Sequence, residues 1–543
     1  MKNNFLFMCL FFSIFINPVA ADNYALNPKI DITHYIFRLT LNDTDNRITG
    51  KTDVTIRFLS DDLHDFALDL DSRSDSDPDK GIQVMSVTRR NSPIPFKHKN
   101  DRLIIIPKQP LKKGLVITYR ISYEGIPEDG LMISDNKYGD RTFFGDNWPD
   151  RAHFWLPTID HPSDKATCEF IITAPSDYQV VATGGLYEEN DLENGDRRTH
   201  WRSIAPIATK IMTIGVARFA VQHLGEIKDV PIQSWIYPQD REAGFYDYAL
   251  APEIVEFFTE KIGPYAFTKL ANIQSTTRWG GLESASAVLY HENSVTGTRD
   301  CEGLLAHEIA HQWFGDAVTE KDWFHVWLSE GFATYMAHVY FEDTYGCKRL
   351  QEGMKKDRVR VINYFERRPH SMVLDTTITN LYHILSTNTY QKGSWFLHMM
   401  RRKLGEDYFW KGIKSFYMQY KNSNVLTIDF KNVMEEISGM DLSLFFQQWL
   451  RQPGQPRLKG SWTYDRSDKK LQISLIKSCP QNTEYFSPVD IGIYSDNKQN
   501  PEIINVLMDS AKKTLTMDVS VPPDSVVLDP HVWLLFENAF GRK

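Results

Sequence analysis

The stretch HEIAHQWFGDAVTEKDWFHVWLSEGFATY opens with His307 and His311 four positions apart and Glu308 between them. A further glutamate, Glu330, follows at 330 − 311 = 19 positions. Leu304, Leu305, Ile309 and Ala310 recur around the histidines at helical spacing, so the two imidazoles are expected one turn apart on a common helix face. Two rings so placed can reach one ion. Zinc accepts two nitrogens and one carboxylate oxygen at about 2.0–2.2 Å and keeps a fourth position for water, the arrangement of a catalytic rather than a structural site. The polar stretch GDAVTEKDW precedes a second helical pattern, WLSEGFATYMAHVYF, from which Glu330 can face back as the third ligand. The plain alternative is two exposed histidines flanking a solvated glutamate, and the apolar surroundings speak against it. Cys301 lies six residues before His307, off the ligand face, and is rejected as a ligand.

Two further segments invite the same scrutiny. TRWGGLES spans residues 277–284, and NTYQKGSWF puts Tyr390 at 390 − 330 = 60 positions after Glu330. Singly, Glu283 would read as a surface carboxylate in a glycine turn, and Tyr390 as ordinary filling. With HExxH, eighteen intervening residues and Glu, however, these segments resemble the aminopeptidase N family of zinc metallopeptidases, the gluzincins. LPTIDHPSDKAT at 156–167 is similar to that family's N-terminal domain signature, and QWLRQPGQPRL to its exit from the catalytic domain, so the resemblance covers nearly the whole mature chain.

The resemblance implies roles. His307, His311 and Glu330 would hold one zinc ion per chain, Glu308 would act as general base and then acid, and Tyr390 would donate to the developing oxyanion. Glu283 would bind the free α-amine of a peptide, with the Gly280-Gly281 backbone holding the peptide edge. The sequence departs from the family's GxMEN pattern in two places: Leu282 replaces Met and Ser284 replaces Asn. For a second amine-binding residue Asp146, Asn147 and Asp150 are the candidates. Asp316, in WFGD, reads as a solvated turn aspartate or as an orienting partner of a ligand histidine. The function so implied is hydrolysis of the first peptide bond of substrates with a free N-terminus. The alternatives are a related zinc hydrolase with endopeptidase or epoxide hydrolase activity, and a catalytically silent peptide-binding relative.

The elements that must position these residues follow from periodicity. Period-two alternation, as at Val54, Ile56 and Phe58, runs from about residue 25 to 225 and predicts a β-rich domain. Helical patterns dominate from PEIVEFFTEKIG, begun by Pro252 and stopped at Gly263, to about residue 450. After the Pro- and Gly-rich RQPGQPRLKG, alternation returns at Leu471, Ile473 and Leu475. The expected fold is therefore multidomain α+β. It comprises an N-terminal β saddle domain at 22–228, a thermolysin-like, mainly helical catalytic domain at 229–452, and a small C-terminal β-sandwich at 453–543. The large helical C-terminal domain that the family often adds is not expected in the stretch after residue 460.

Composition sets the outer bounds. With 42% hydrophobic and 24% charged residues the chain is globular, and a formal charge of -9 without basic runs argues against nucleic acid as a partner. Lys2, the apolar run Phe5–Ile16 and Val19-Ala20-Ala21 read as a cleavable signal peptide over 1–21, hence a periplasmic or secreted protein. No later run is long enough to span a membrane. The remaining cysteines, Cys168, Cys301, Cys347 and Cys479, read as four isolated and buried residues, although three pairings are open. A monomer is expected.

Overall fold

The computed structural model describes residues 24–73, 79–480, 483, 485, 488–496 and 500–543. The leader expected over 1–21 lies outside them. The N-terminal part is built on an eight-stranded sheet, in which Ile30–Thr40 pairs antiparallel with Ile48–Phe58 and parallel with Lys165–Pro175. Val54, Ile56 and Phe58 are fully buried while Lys51 and Arg57 face outward, the alternation that pleated backbone imposes. A four-stranded sheet, Leu131–Asp135, Arg141–Gly145, Gln179–Ala182 and Ile214–Ala217, packs into the same core.

A five-stranded sheet, which helical periodicity does not suggest, is formed by strands on either side of the helices at 241–248 and 251–261. It contains Ala220–Ile227, Val230–Ile236, Leu270–Ser275, Ala287–His291 and the short edge strand Gly281–Leu282. Leu270–Ser275 is buried at every position, so LANIQS shows no alternation to read. Residue 228 falls in the turn of the hairpin formed by the first two of these strands.

The helices then pack against this sheet and one another. Helix α1, Ala251–Lys261, has Pro252 in its first turn and buries Ile254, Val255 and Phe258. Helix α2, Glu302–His311, carries the HExxH residues, and α3, Trp327–Tyr345, carries Glu330. They are followed by α4, Cys347–Arg367, and α5, Gly393–Leu404. The apparent single helix SWFLHMMRRKLGEDYFWKGI is split at Gly405, whose φ of 82° no continuing helix adopts.

At the C-terminus seven strands among the described residues form two sheets, and Leu471, Ile473 and Leu475 are fully buried. Arg358 of α4 reaches across to Asp529 at 2.5 Å and to the Leu534 carbonyl at 2.6 Å, tying the helical part to this region. The four cysteines are free: Cys168 and Cys301 are buried, but Cys347 is exposed at the start of α4 and Cys479 is half-buried, which corrects the expectation of four buried thiols. Among the described residues no helix is long and apolar enough to cross a membrane.

Candidate metal centre and active-site cleft

The packing of α2 against α3 brings the three expected ligands together. The Nε2 atoms of His307 and His311 lie 3.1 Å apart, and Glu330 Oε2 lies 3.5 Å from the first and 3.2 Å from the second. Among the described residues these three form the one group of His, Cys, Asp or Glu side chains whose ligand atoms converge this closely. Cys301 caps the start of α2 and takes no part.

The surroundings fix the rings for this purpose. His311 Nδ1 lies 3.1 Å from the Phe314 carbonyl, to which it can only donate, and 3.0 Å from Ser329 Oγ, which leaves the Nε2 lone pair directed at Glu330 and His307. Gly315, at φ 126°, permits that approach, since a Cβ there would sit 2.4 Å from Ser329 Oγ. Burial alone would lower the His311 imidazole, but Glu330 beside it raises it to about 10. The pair thus stabilises a positive charge between ring and carboxylate, a charge that a dication supplies in the proton's place. Glu330 Oε2 is buried with no hydrogen-bond partner. An N, N, O donor set with an orphaned carboxylate oxygen fits zinc.

Around this centre lies a cleft of about 720 Å³. Glu308 stands in it 5% exposed; burial, with Glu283 and Glu330 nearby, pushes its carboxyl well above the usual range. Gly281, on the edge strand, makes room for it, because a Cβ there would lie 2.4 Å from Glu308 Oε1. Glu283 follows that strand, 5% exposed, and its Oε1 has no hydrogen-bond partner. Three buried carboxylates sharing one cleft, two with orphaned oxygens, make a site for cations. Gly280 lines the same wall, and its carbonyl accepts from the His291 amide.

Tyr390 sits in a π-helical turn, Asn388–Lys392, with its ring 5.9 Å from that of His307 and tilted by 18°. Burial, reinforced by Glu330, Glu283 and Glu308, holds its phenol protonated well above the ordinary range, so it is a donor. Two glycines place it: a Cβ on Gly331 would meet Gly393 Cα at 3.0 Å, so α3 and the Tyr390 turn touch backbone to backbone. Lys392, 1% exposed, donates to the Gln452 and Gly454 carbonyls at 3.1 and 2.8 Å, anchoring that turn to the Pro- and Gly-rich segment.

Other expectations are corrected. Asp316 is fully buried, not solvated, and its Oδ2 accepts from Gln312 at 2.7 Å; the His311 ring is oriented by Phe314 and Ser329 instead. None of the three candidates for a second amine contact lines the cleft. Asp146 accepts from Arg151, Thr277 and Trp279; the Asn147 side chain is taken up by the Thr209 and Met212 carbonyls and Trp155; Asp150 lines a separate hollow with Tyr24 and Trp323.

Ser329, beside His311, and one further residue went unread in the sequence. Gln312, the position after His311, is fully buried; its amide donates to the Glu283 carbonyl at 3.1 Å, and its Oε1 accepts from the Ser286 amide at 2.7 Å. It therefore clamps the Glu283 segment to the metal helix. The only sequence signal is a polar residue on a helix face otherwise apolar.

Fold and site together define a class of chain: a β-rich part ahead of a helical part that presents a His-His-Glu centre in a peptide-sized cleft. "Peptidase M1 N-terminal domain" matches residues 31–210 and "Peptidase family M1 domain" residues 246–449. The chain belongs to peptidase family M1. It is 25% identical to "Probable aminopeptidase 2" of Sulfurisphaera tokodaii, over 83% of this chain and 58% of that protein. It is also 23% identical to "Leucyl aminopeptidase" of Saccharolobus solfataricus, over 76% of this chain and 51% of that one. The chain thus spans between about half and three-fifths of the length of these relatives. In fold it is similar to a mutant M1 zinc metallopeptidase of Deinococcus radiodurans bound to the substrate Tyr-Ser-Ala. The TM-score is 0.65 at 21% identity, over 78% of this chain and 94% of that one.

Proposed function

We propose that this chain is a zinc-dependent aminopeptidase that hydrolyses the first peptide bond of substrates with a free amine. The observation that carries the reading is the meeting, in one cleft, of the His307, His311, Glu330 donor set with the buried, unpartnered carboxylate oxygen of Glu283. The relatives named as aminopeptidases and the tripeptide complex of the structural neighbour support it.

His307, His311 and Glu330 would hold one zinc ion, which when bound supplies a Lewis acid for the scissile carbonyl and an acidified water. Glu308 takes the proton released as that carbonyl is attacked and returns it to the leaving amine; its burial raises its proton affinity, which suits the first task. Tyr390 donates a hydrogen bond where negative charge develops on the carbonyl oxygen. Glu283 pairs with the substrate ammonium, and Gly280-Gly281 leaves the strand edge open to the peptide backbone. These residues all come from one chain, and the reading takes the protein as a monomer. Export rests on the pattern over residues 1–21 alone, and N-terminal sequencing of the mature protein checks it.

A panel of aminoacyl fluorogenic substrates, with and without a chelator, tests the activity. Turnover that the chelator abolishes and added zinc restores is expected. Chelator-insensitive turnover, or none by metal-loaded protein, contradicts the reading.

A further inference from the structure

The cleft does not end at the metal centre. One face of α3 continues from Glu330 through Thr334 and Ala337 to His338, all lining the same cavity, and α4 contributes Asp357 and Arg360 beyond them. His338 Nε2 bonds Asp357 Oδ2 at 2.8 Å, and Arg360 approaches Asp357 Oδ1 at 3.3 Å. Asp357 is 3% exposed and has both oxygens engaged, so its charge is spent on orienting these two side chains. Gly353 of α4 clears the space for the His338 ring, since a Cβ there would lie 2.6 Å from it. Arg360 itself is 64% exposed, with most of its N–H groups unused by Asp357.

Charge along the cleft is sharply divided. Glu283, Glu308 and Glu330 gather at one end; at the other stand Asp357, whose oxygens are already engaged, and Arg360, the single Lys or Arg among the described lining residues. A short peptide carries the complementary pattern, an ammonium at its head and a carboxylate at its tail. From Glu330 to His338 is eight helical positions, a rise of about 12 Å. At about 3.3 Å per extended residue that distance takes some three to four residues beyond the scissile bond.

Building on the aminopeptidase reading, we propose that Arg360, held by Asp357 together with His338, is a carboxylate subsite. It would receive the C-terminal carboxylate of peptides of about four to five residues, or an acidic side chain at the same distance in longer ones. A guanidinium binds a carboxylate through two parallel hydrogen bonds, and at a partly exposed cleft rim such a contact changes affinity by about three- to tenfold.

The test uses a leucine-headed oligoalanine series of two to seven residues, each as free acid and as C-terminal amide, with kcat and KM measured for every pair. A second arm uses amidated heptapeptides with Asp or Asn at the fourth or fifth position. Preference for the acid over the amide should peak at four to five residues, reside in KM, and vanish in R360A while R360K retains part of it. Preference for Asp over Asn would show that a side chain serves as well as the terminus. An acid-to-amide ratio that is flat with length, or unchanged in R360A, overturns the proposal. Turnover of an aminoacyl fluorogenic substrate, which has no residue at this end, reports separately on the aminopeptidase reading. Should that fail, calorimetric binding of the same acid and amide pairs to E308Q and to E308Q/R360A still decides whether the subsite exists.

Discussion

At the scale of single residues, roles divide by what each side chain has left unpaired. Glu308 lies in the cleft but is not among the three converging ligands, so E308Q should keep the metal and lose about 10²- to 10⁴-fold in kcat. Y390F removes one donor to the oxyanion and should lower kcat by about 10²- to 10³-fold with little change in KM. Steady-state kinetics beside elemental analysis checks both, and near-wild-type kcat in either variant removes that residue from the mechanism. Gln312 is different, because it touches the Glu283 segment rather than substrate. In Q312E the acceptor for the Ser286 amide remains, but the donors to the Glu283 carbonyl and to Asp316 are lost. KM for free-amine peptides should rise roughly tenfold with zinc content intact, the cost of a loosened charge-assisted contact; an unchanged KM would dismiss the clamp. His307, His311 and Glu330 were legible because helical period and ligand chemistry constrain them together, and Glu283 and Tyr390 only through resemblance. Gln312 and Ser329 were not, since their partners lie on segments that sequence does not place beside them.

At the scale of elements, the catalytic geometry depends on close approaches that glycine allows. Gly331 and Gly393 let α3 and the Tyr390 turn meet, and a methyl on Gly331 needs the backbones to part by a few tenths of an ångström. G331A should therefore hold zinc through Glu330 yet lose about tenfold in kcat, because small displacements of a donor weaken transition-state contacts; undiminished kcat would show that the turn adapts. The helices themselves were readable from apolar spacing and from stops such as Gly263, but the break at Gly405 was not. The five-stranded sheet was not, for two reasons. Its central strands are buried on both faces and lack alternation, and the edge strand Gly281–Leu282 is only two residues long. That edge carries Gly281 beside Glu308 and leads into Glu283, so the least legible element positions the proposed amine end of the cleft.

At the scale of the whole molecule, the N-terminal part is built into the helical one. Lys210, 1% exposed, donates to Glu320 at 2.5 Å, and Lys165 donates to the Asp316 and Ala317 carbonyls at 3.0 and 2.9 Å, directly behind Gln312. The order β-rich, helical, β-rich was evident from the change of period, but these buried contacts between distant segments were not. Acid should expose this architecture. Burial lowers the His325 imidazole to about 4 and that of His398 to about 3, against 6.5 for an ordinary imidazole. Both are therefore neutral in the folded chain at pH values where the unfolded chain is protonated. Their contribution is complete above about pH 6.5 and is lost as pH falls toward 4. Melting temperature should drop across that window, and H325N, whose amide oxygen can accept the Thr427 amide that His325 Nδ1 accepts now, should flatten part of the drop. A profile as steep in H325N as in the parent would exclude His325 as a source.

The most direct test of an enzyme that works from the amino end is mass spectrometry of one decapeptide digested in two forms, free and N-acetylated, by zinc-loaded protein. The free peptide should yield a ladder missing successive N-terminal residues, while the acetylated one survives, because acetylation removes the ammonium that Glu283 is placed to bind and an unpaired buried carboxylate costs on the order of 2–5 kcal/mol. Internal fragments from both forms would contradict the assignment and mark the protein as an endopeptidase.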